Sequence, residues 1–255
     1  MESIMYYVLF FILGTYMGSF YTLVGLRLPK GEPFVFSRSR CDECKHTLSL
    51  IDMIPILSYI FLRGKCRYCK AKIDIISTYI EFFTGLLFLV SYYSFGFSVE
   101  LLLAIGVVSL LVIVIVSDLT YLIIPDEVLI FFGIYFIIIQ FFLSGFMGVL
   151  YHLAVGLFLF IIMYLIMIIG NKAFKKESMG GGDVKMMFLF GLVLDPLLGA
   201  LTIFLGSLFA LPISIGLYFS KNEKVIPFGP FLLLGFAFIF FTKITSQGII
   251  SWLGL

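Results

Sequence analysis

Long apolar runs recur along this chain with little between them, and that leaves few folds open. A helix needs about 20 apolar residues to cross a bilayer. Segments 4–26, 75–95, 101–117, 128–143, 149–170, 184–194, 198–219 and 229–247 read as spans, the fourth and sixth of them short. Within hydrocarbon the backbone must satisfy its own hydrogen bonds, which a helix does segment by segment. The expectation is an all-α polytopic membrane protein of about eight transmembrane helices, with the lipid bilayer as a partner. Composition agrees: 62% of residues are hydrophobic and 13% charged, against about a quarter charged in soluble domains. A net charge of +2 is too small to suggest a nucleic-acid partner.

The placement of charge orients the chain. Ten of the 17 Lys and Arg lie between Arg27 and Lys72, four between Lys172 and Lys185, and two at Lys221 and Lys224. Basic loops stay in the cytoplasm. The first span is preceded only by Glu2, so the N-terminus is expected outside, with loops 27–74, 118–127, 171–183 and 220–228 inside. That span is too long for a signal-peptide core and lacks a basic flank before it, so it is expected to be retained. Gly14-x-x-x-Gly18 within it fits a close helix-packing motif. The chain divides into a first transmembrane helix (1–26), a cysteine-rich cytoplasmic loop (27–74) and a transmembrane core (75–255). The loop alone is too short to bury a large core.

All four cysteines sit in that loop. Cys41-Asp-Glu-Cys44 and Cys66-Arg-Tyr-Cys69 are separated by 21 residues, near zinc-ribbon spacing. Four thiolates from two tight turns make the tetrahedral set zinc prefers, with no position left for catalysis. A cytoplasmic setting argues against stable disulfides. A redox dithiol or free thiols are the alternatives to a structural zinc.

Two acids stand out on the same side. Asp118 ends an apolar run in Ser117-Asp118-Leu119-Thr120, and Asp183 follows Gly180-Gly181-Gly182. A carboxylate at the edge of hydrocarbon is costly, and two sharing one proton supply a general base and a general acid together. That pair can hydrolyse a peptide bond. The plain alternatives are a marker of a span end for Asp118 and a solvated charge in a flexible loop for Asp183. Glycines let a backbone approach a substrate strand closely, so Gly180, Gly181, Gly182 and Lys185 are candidates for substrate binding. Asp126 follows Pro125 and reads as a helix-start residue. Glu81, inside the second span, reads equally as functional or as a packing group. His152 reads as an interface residue and His46 as a solvated one. Ser19 lacks a nucleophile-elbow context, and neither a His-Glu-x-x-His nor a phosphate loop is present.

Together these pieces resemble the bacterial type IV prepilin peptidases. Gly18-Ser19-Phe20 with Arg27-Leu28-Pro29 is similar to the family's opening motif. The segments around Cys41 and Cys44, Asp52-x-Ile54-Pro55-x-Leu57-Ser58-Tyr59, and Arg63-Gly64-Lys65-Cys66-x-x-Cys69 resemble its cysteine loop. Ser117-Asp118-Leu119 with Ile124-Pro125-Asp126 resembles its first catalytic segment, Gly180-x-Gly182-Asp183-x-Lys185 its second, and Pro227-Phe228-Gly229-Pro230-Phe231 its closing motif. Tyr21-Thr22 and the missing proline after Tyr79 depart from the usual pattern.

The resemblance implies a multi-pass enzyme of the bacterial inner membrane, with active site and cysteine loop facing the cytoplasm. It implies Asp118 and Asp183 as a catalytic pair that cleaves the basic leader of a prepilin or pseudopilin precursor. It also implies methylation of the new N-terminus with S-adenosylmethionine, a step tied to Gly64 and Lys65. A reading of another class is a small proton- or metal-coupled transporter with a broken helix. Acids at a rim rather than at the midplane, and the absence of inverted halves, argue against it.

Overall fold

The computed structural model describes residues 2–34, 39–41, 43–175, 179–219 and 227–252. The described residues form helices and no strand, apart from two isolated bridges in the cysteine loop. The all-α expectation holds. The chain divides into two compact units, Met1–Phe97 and Ser98–Leu255.

In the first unit α1 (Glu2–Arg27) packs against α3 (Ile75–Phe95). Tyr6 meets Tyr92, Phe11 meets Phe82, and Gly18 lies against Thr84 and Glu81, so the two helices run antiparallel. The glycine motif acts as its spacing predicts. A Cβ on Gly14 would come within 2.8 Å of the Gly85 backbone, and one on Gly18 within 2.9 Å of Thr84. Small residues on both helices let the backbones close up. Tyr6, Phe10, Tyr92 and Phe97 form an aromatic cluster at one end of the pair, suited to a membrane–water boundary. The intervening loop holds the short α2 (Leu57–Phe61).

The second unit is built on α4 (Val99–Tyr121), whose residues are buried almost without break from Val107 to Val114. Around it lie α5 (Asp126–Phe174), α6 (Gly181–Gly191), α7 (Pro196–Phe219), α8 (Gly229–Thr242) and α9 (Ser246–Trp252). The α4 helix packs on α5 and α8, α5 packs on α6, and α7 packs on α8. Gly156 and Gly191 bring α5 and α6 into near backbone contact. Phe190 of α6 stacks on Phe236 of α8 at 4.3 Å between centroids.

Each predicted span falls on a described helix. Segments 128–143 and 149–170 lie in the one long element α5, broken at Gly145, where φ is 66° and ψ −171°. Gly133, Ile134 and Ile137 line the same cavity as Leu157 and Phe160, so the chain doubles back there. The α6 helix has 11 residues, about 16 Å at 1.5 Å per residue, which is half a bilayer core. The last predicted span divides into α8 and α9. By length and apolarity five described helices suffice to cross a membrane.

Candidate active site

The α4 helix delivers Asp118 in its last turn. It stops there because Leu122 turns left-handed (φ 56°, ψ 35°) and returns its N–H to the Asp118 carbonyl at 2.9 Å. Extended backbone follows, and Pro125 caps α5. Asp183 enters from the other direction, as the third residue of α6 behind the extended Gly180. A helix start favours a negative charge, and the Gly180 backbone N–H faces this carboxylate.

Both residues are buried, each 6% exposed, and no Lys or Arg is among the buried described residues. Their oxygens converge on one point. A Cβ placed on Gly229 would lie 2.8 Å from Asp118 Oδ2 and 3.1 Å from Asp183 Oδ1. The two oxygens are therefore no more than about 6 Å apart. The Gly229 backbone N–H faces Asp118. Asp183 Oδ1 is buried with no hydrogen-bond partner, although an unpaired buried acceptor is costly. Two close carboxylates cannot easily both ionise. Two carboxylates on one point can supply a general acid and a general base together.

Gly229 forms the roof of this space, which the sequence flagged only as part of a motif. Its signal was a glycine directly before a proline at a helix start, where any side chain would strike both acids. Ile124 packs against the Cβ positions of Gly182 and Gly229 at 2.9 and 3.0 Å, so the loop after α4 locks onto both.

The cysteine loop forms the second constellation. The four Sγ atoms lie within 4.8 Å of one another, and Cys41 and Cys69 are 3.7 Å apart. Sulfurs about 2.3 Å from a tetrahedral zinc stand about 3.8 Å from each other, so the residues fit that ion. The two knuckles are copies of one turn. Lys45 and Lys70 are both left-handed and donate to the carbonyls of Cys41 and Cys66, each at 3.0 Å. The bridges Arg40–Thr47 and Lys65–Lys72 close them in the same way. Backbone N–H groups of Cys69 and Tyr68 point at Cys66 and lower its thiol, while the neighbouring thiols raise that of Cys69. Thiols crowded together in this way share protons until a metal replaces them.

Residues 12–95 match the bacterial peptidase A24 N-terminal domain, and residues 105–215 match the type IV leader peptidase family. A Bacillus subtilis protein named prepilin leader peptidase/N-methyltransferase is 33% identical, with 88% of this chain and 90% of the relative covered. The chain belongs to the type IV leader peptidase family. A Myxococcus xanthus protein of the same name is 36% identical over 76% of this chain and 58% of the relative. A Vibrio cholerae protein of that name is 27% identical over 93% and 97%. No solved structure matches the chain. Family and apolar helices together make it a multi-pass protein of the inner membrane.

Other residues of this leader peptidase fall outside the acid pair. Asp126 is exposed and bound at 2.7 and 2.8 Å by Lys185, so both lie on the surface, joining the starts of α5 and α6. Gly180 and Gly181 are exposed at the start of α6, and nothing lies within 4 Å of a Cβ on Gly181.

Gly64 has φ +66°, and the Tyr59 hydroxyl sits 2.8 Å from its Cβ position. Its carbonyl also accepts from Ile73 N–H at 2.9 Å. Gly64 and Lys65 thus build the turn that presents Cys66. Glu81 accepts the Ile56 N–H at 2.9 Å and neighbours Ser19, which ties the loop to α3 and α1. His152 Nδ1 meets the Gly191 carbonyl at 3.2 Å, and the His46 ring lies tilted against Tyr68 at 3.7 Å between centroids.

Proposed function

We propose that this chain is a membrane aspartic endopeptidase. It removes the leader of a prepilin or pseudopilin at the cytoplasmic face and methylates the new N-terminus. The observation that carries the peptidase reading is the convergence of two buried carboxylates, Asp118 and Asp183, on Gly229 with no cation between them. The ionised carboxylate takes a proton from water as it attacks the scissile carbonyl carbon. The protonated one donates to the carbonyl oxygen. Collapse of the tetrahedral intermediate breaks the C–N bond and returns a proton to the leaving amine.

The bond must be extended to be cut, because a helix keeps its carbonyls in its own hydrogen bonds. Gly180 to Gly182, open on the outer side at Gly181, offer backbone to such a strand. Zinc on Cys41, Cys44, Cys66 and Cys69 supplies shape to the loop, not chemistry, since four thiolates close its coordination. The methyl donor, by the family resemblance, is S-adenosylmethionine. Gly64 and Lys65 bear on that step through the turn they form beside Cys66.

The transporter reading has less behind it, because the family match and the similar prepilin leader peptidases both favour the peptidase. The test is cleavage of a prepilin by purified protein in detergent. Asp118→Asn and Asp183→Asn should each lose it, by the 10²–10⁴-fold or more that acid–base catalysis supplies, roughly. Near-normal cleavage by either variant would sink the assignment.

A further inference from the structure

The cysteine loop carries an apolar surface that its metal site does not explain. Leu50 and Phe61 are each 80% exposed, and Ile51, Leu57 and Ile60 are exposed beside them. A soluble loop rarely leaves such a contiguous patch open to water. Its height along the helices tells what covers it. Glu81 lies six residues into α3, about 9 Å below the helix start at 1.5 Å per residue. Glu81 accepts the Ile56 N–H at 2.9 Å, so the turn leading into α2 is held at that depth and does not project away. At the same level α3 exposes Ile76, Tyr79 and Phe83, which in a membrane-crossing helix face lipid. Arg63 and Lys65 follow Phe61 directly and are exposed, placing cations where a headgroup layer would begin.

We infer that the cysteine loop is seated on the bilayer through Leu50, Ile51, Leu57, Ile60 and Phe61, with Arg63 and Lys65 on anionic headgroups. The loop is then an interfacial element of the membrane region rather than a free cytoplasmic lobe. Amphipathic interfacial segments bind in this way, apolar side chains below and basic ones at the phosphate level.

Trp252 is the chain's one tryptophan, so a reporter is simple to place. Phe61→Trp in a Trp252→Phe background is put into vesicles of phosphatidylglycerol or phosphatidylcholine, with and without bromine on the acyl chains. The expected result is blue-shifted emission that brominated lipid largely quenches, more strongly in phosphatidylglycerol. Leu50→Trp should report the same. Emission at positions 50 and 61 that iodide quenches and bromine does not would overturn the proposal. So would emission shielded from both, which would mean that protein covers the patch. Equal quenching in the two lipids would remove the role given to Arg63 and Lys65.

Discussion

The two constellations of this peptidase are held by opposite means. Asp118 and Asp183 sit in a helical core, each 6% exposed, fixed by Ile124, Gly182 and Gly229. The four cysteines sit in a loop with little regular structure, and Cys44 and Cys69 are exposed. In the first, packing positions the chemistry. In the second, chemistry must position the chain, because a loop of this size cannot bury enough apolar surface to hold itself. A single methyl group should therefore damage the acid site, whereas the loop should tolerate surface changes and fail on losing its ion.

The largest effect in that comparison belongs to Gly229. Gly229→Ala places a methyl 2.8 Å from one acid and 3.1 Å from the other. Overpacking of that kind costs about 1–3 kcal/mol. If the two acids are the catalytic pair proposed above, it falls between the reacting groups, and cleavage should drop on the order of 100-fold. Expression and detergent extraction should stay near wild type. Wild-type prepilin cleavage by this variant would mean that the carboxylates do not meet around Gly229.

Metal removal should strike the other region and spare the first. Metal analysis of purified protein should find about one zinc per chain, as a four-thiolate set implies. Cys41→Ser with Cys44→Ser should lose it, and proteases should then cut within 27–74, since metal binding is coupled to folding. Leader cleavage should persist in part, because the acids lie on α4 and α6. A metal-free, fully reduced protein with unchanged protease resistance in the loop would break the contrast.

The sequence showed these regions unevenly. The four cysteines were legible as a set because a metal site is written in spacing, two residues within each knuckle and 21 between. The two acids were legible as rare charges at the ends of apolar runs. Their convergence was not, since it depends on α8 bringing Gly229 between them from more than forty residues beyond Asp183. The break expected between 143 and 149 falls at Gly145, where φ is 66° and ψ −171° and one helix gives way to the next.

Acid should loosen the cysteine loop before it touches the core. Burial alone would raise the Asp52 carboxyl. Hydrogen bonds from Ser49 and the Arg67 guanidinium at 2.6 Å outweigh it and hold the carboxyl below its ordinary 3.8. A carboxyl lowered by folding stabilises the loop fully above the unfolded value and stops doing so as pH falls through the folded one. Protease resistance of the loop should hold from neutral pH down to about 4 and decline below that. Asp52→Asn should flatten this part of the profile. An identical acid profile in the variant would assign the loop's acid sensitivity to the thiolates.

The smallest effect is expected where charge is most visible. Asp126 and Lys185 form a two-pronged ion pair, yet their side chains are 59% and 50% exposed. Exposed pairs contribute about 0–1 kcal/mol, so Asp126→Asn and Lys185→Ala should barely change thermal stability, and the double variant should show little coupling. Asp126 is an acid within eight residues of Asp118, but it is exposed and paired with Lys185 as a tie between helices. Its removal should leave cleavage within a few-fold of wild type. Lys185 is separable from it by kinetics. If Lys185 serves only the ion pair, both variants behave alike. If it also receives the substrate strand, Lys185→Ala raises KM with kcat kept, and Asp126→Asn, which frees the ammonium, does not.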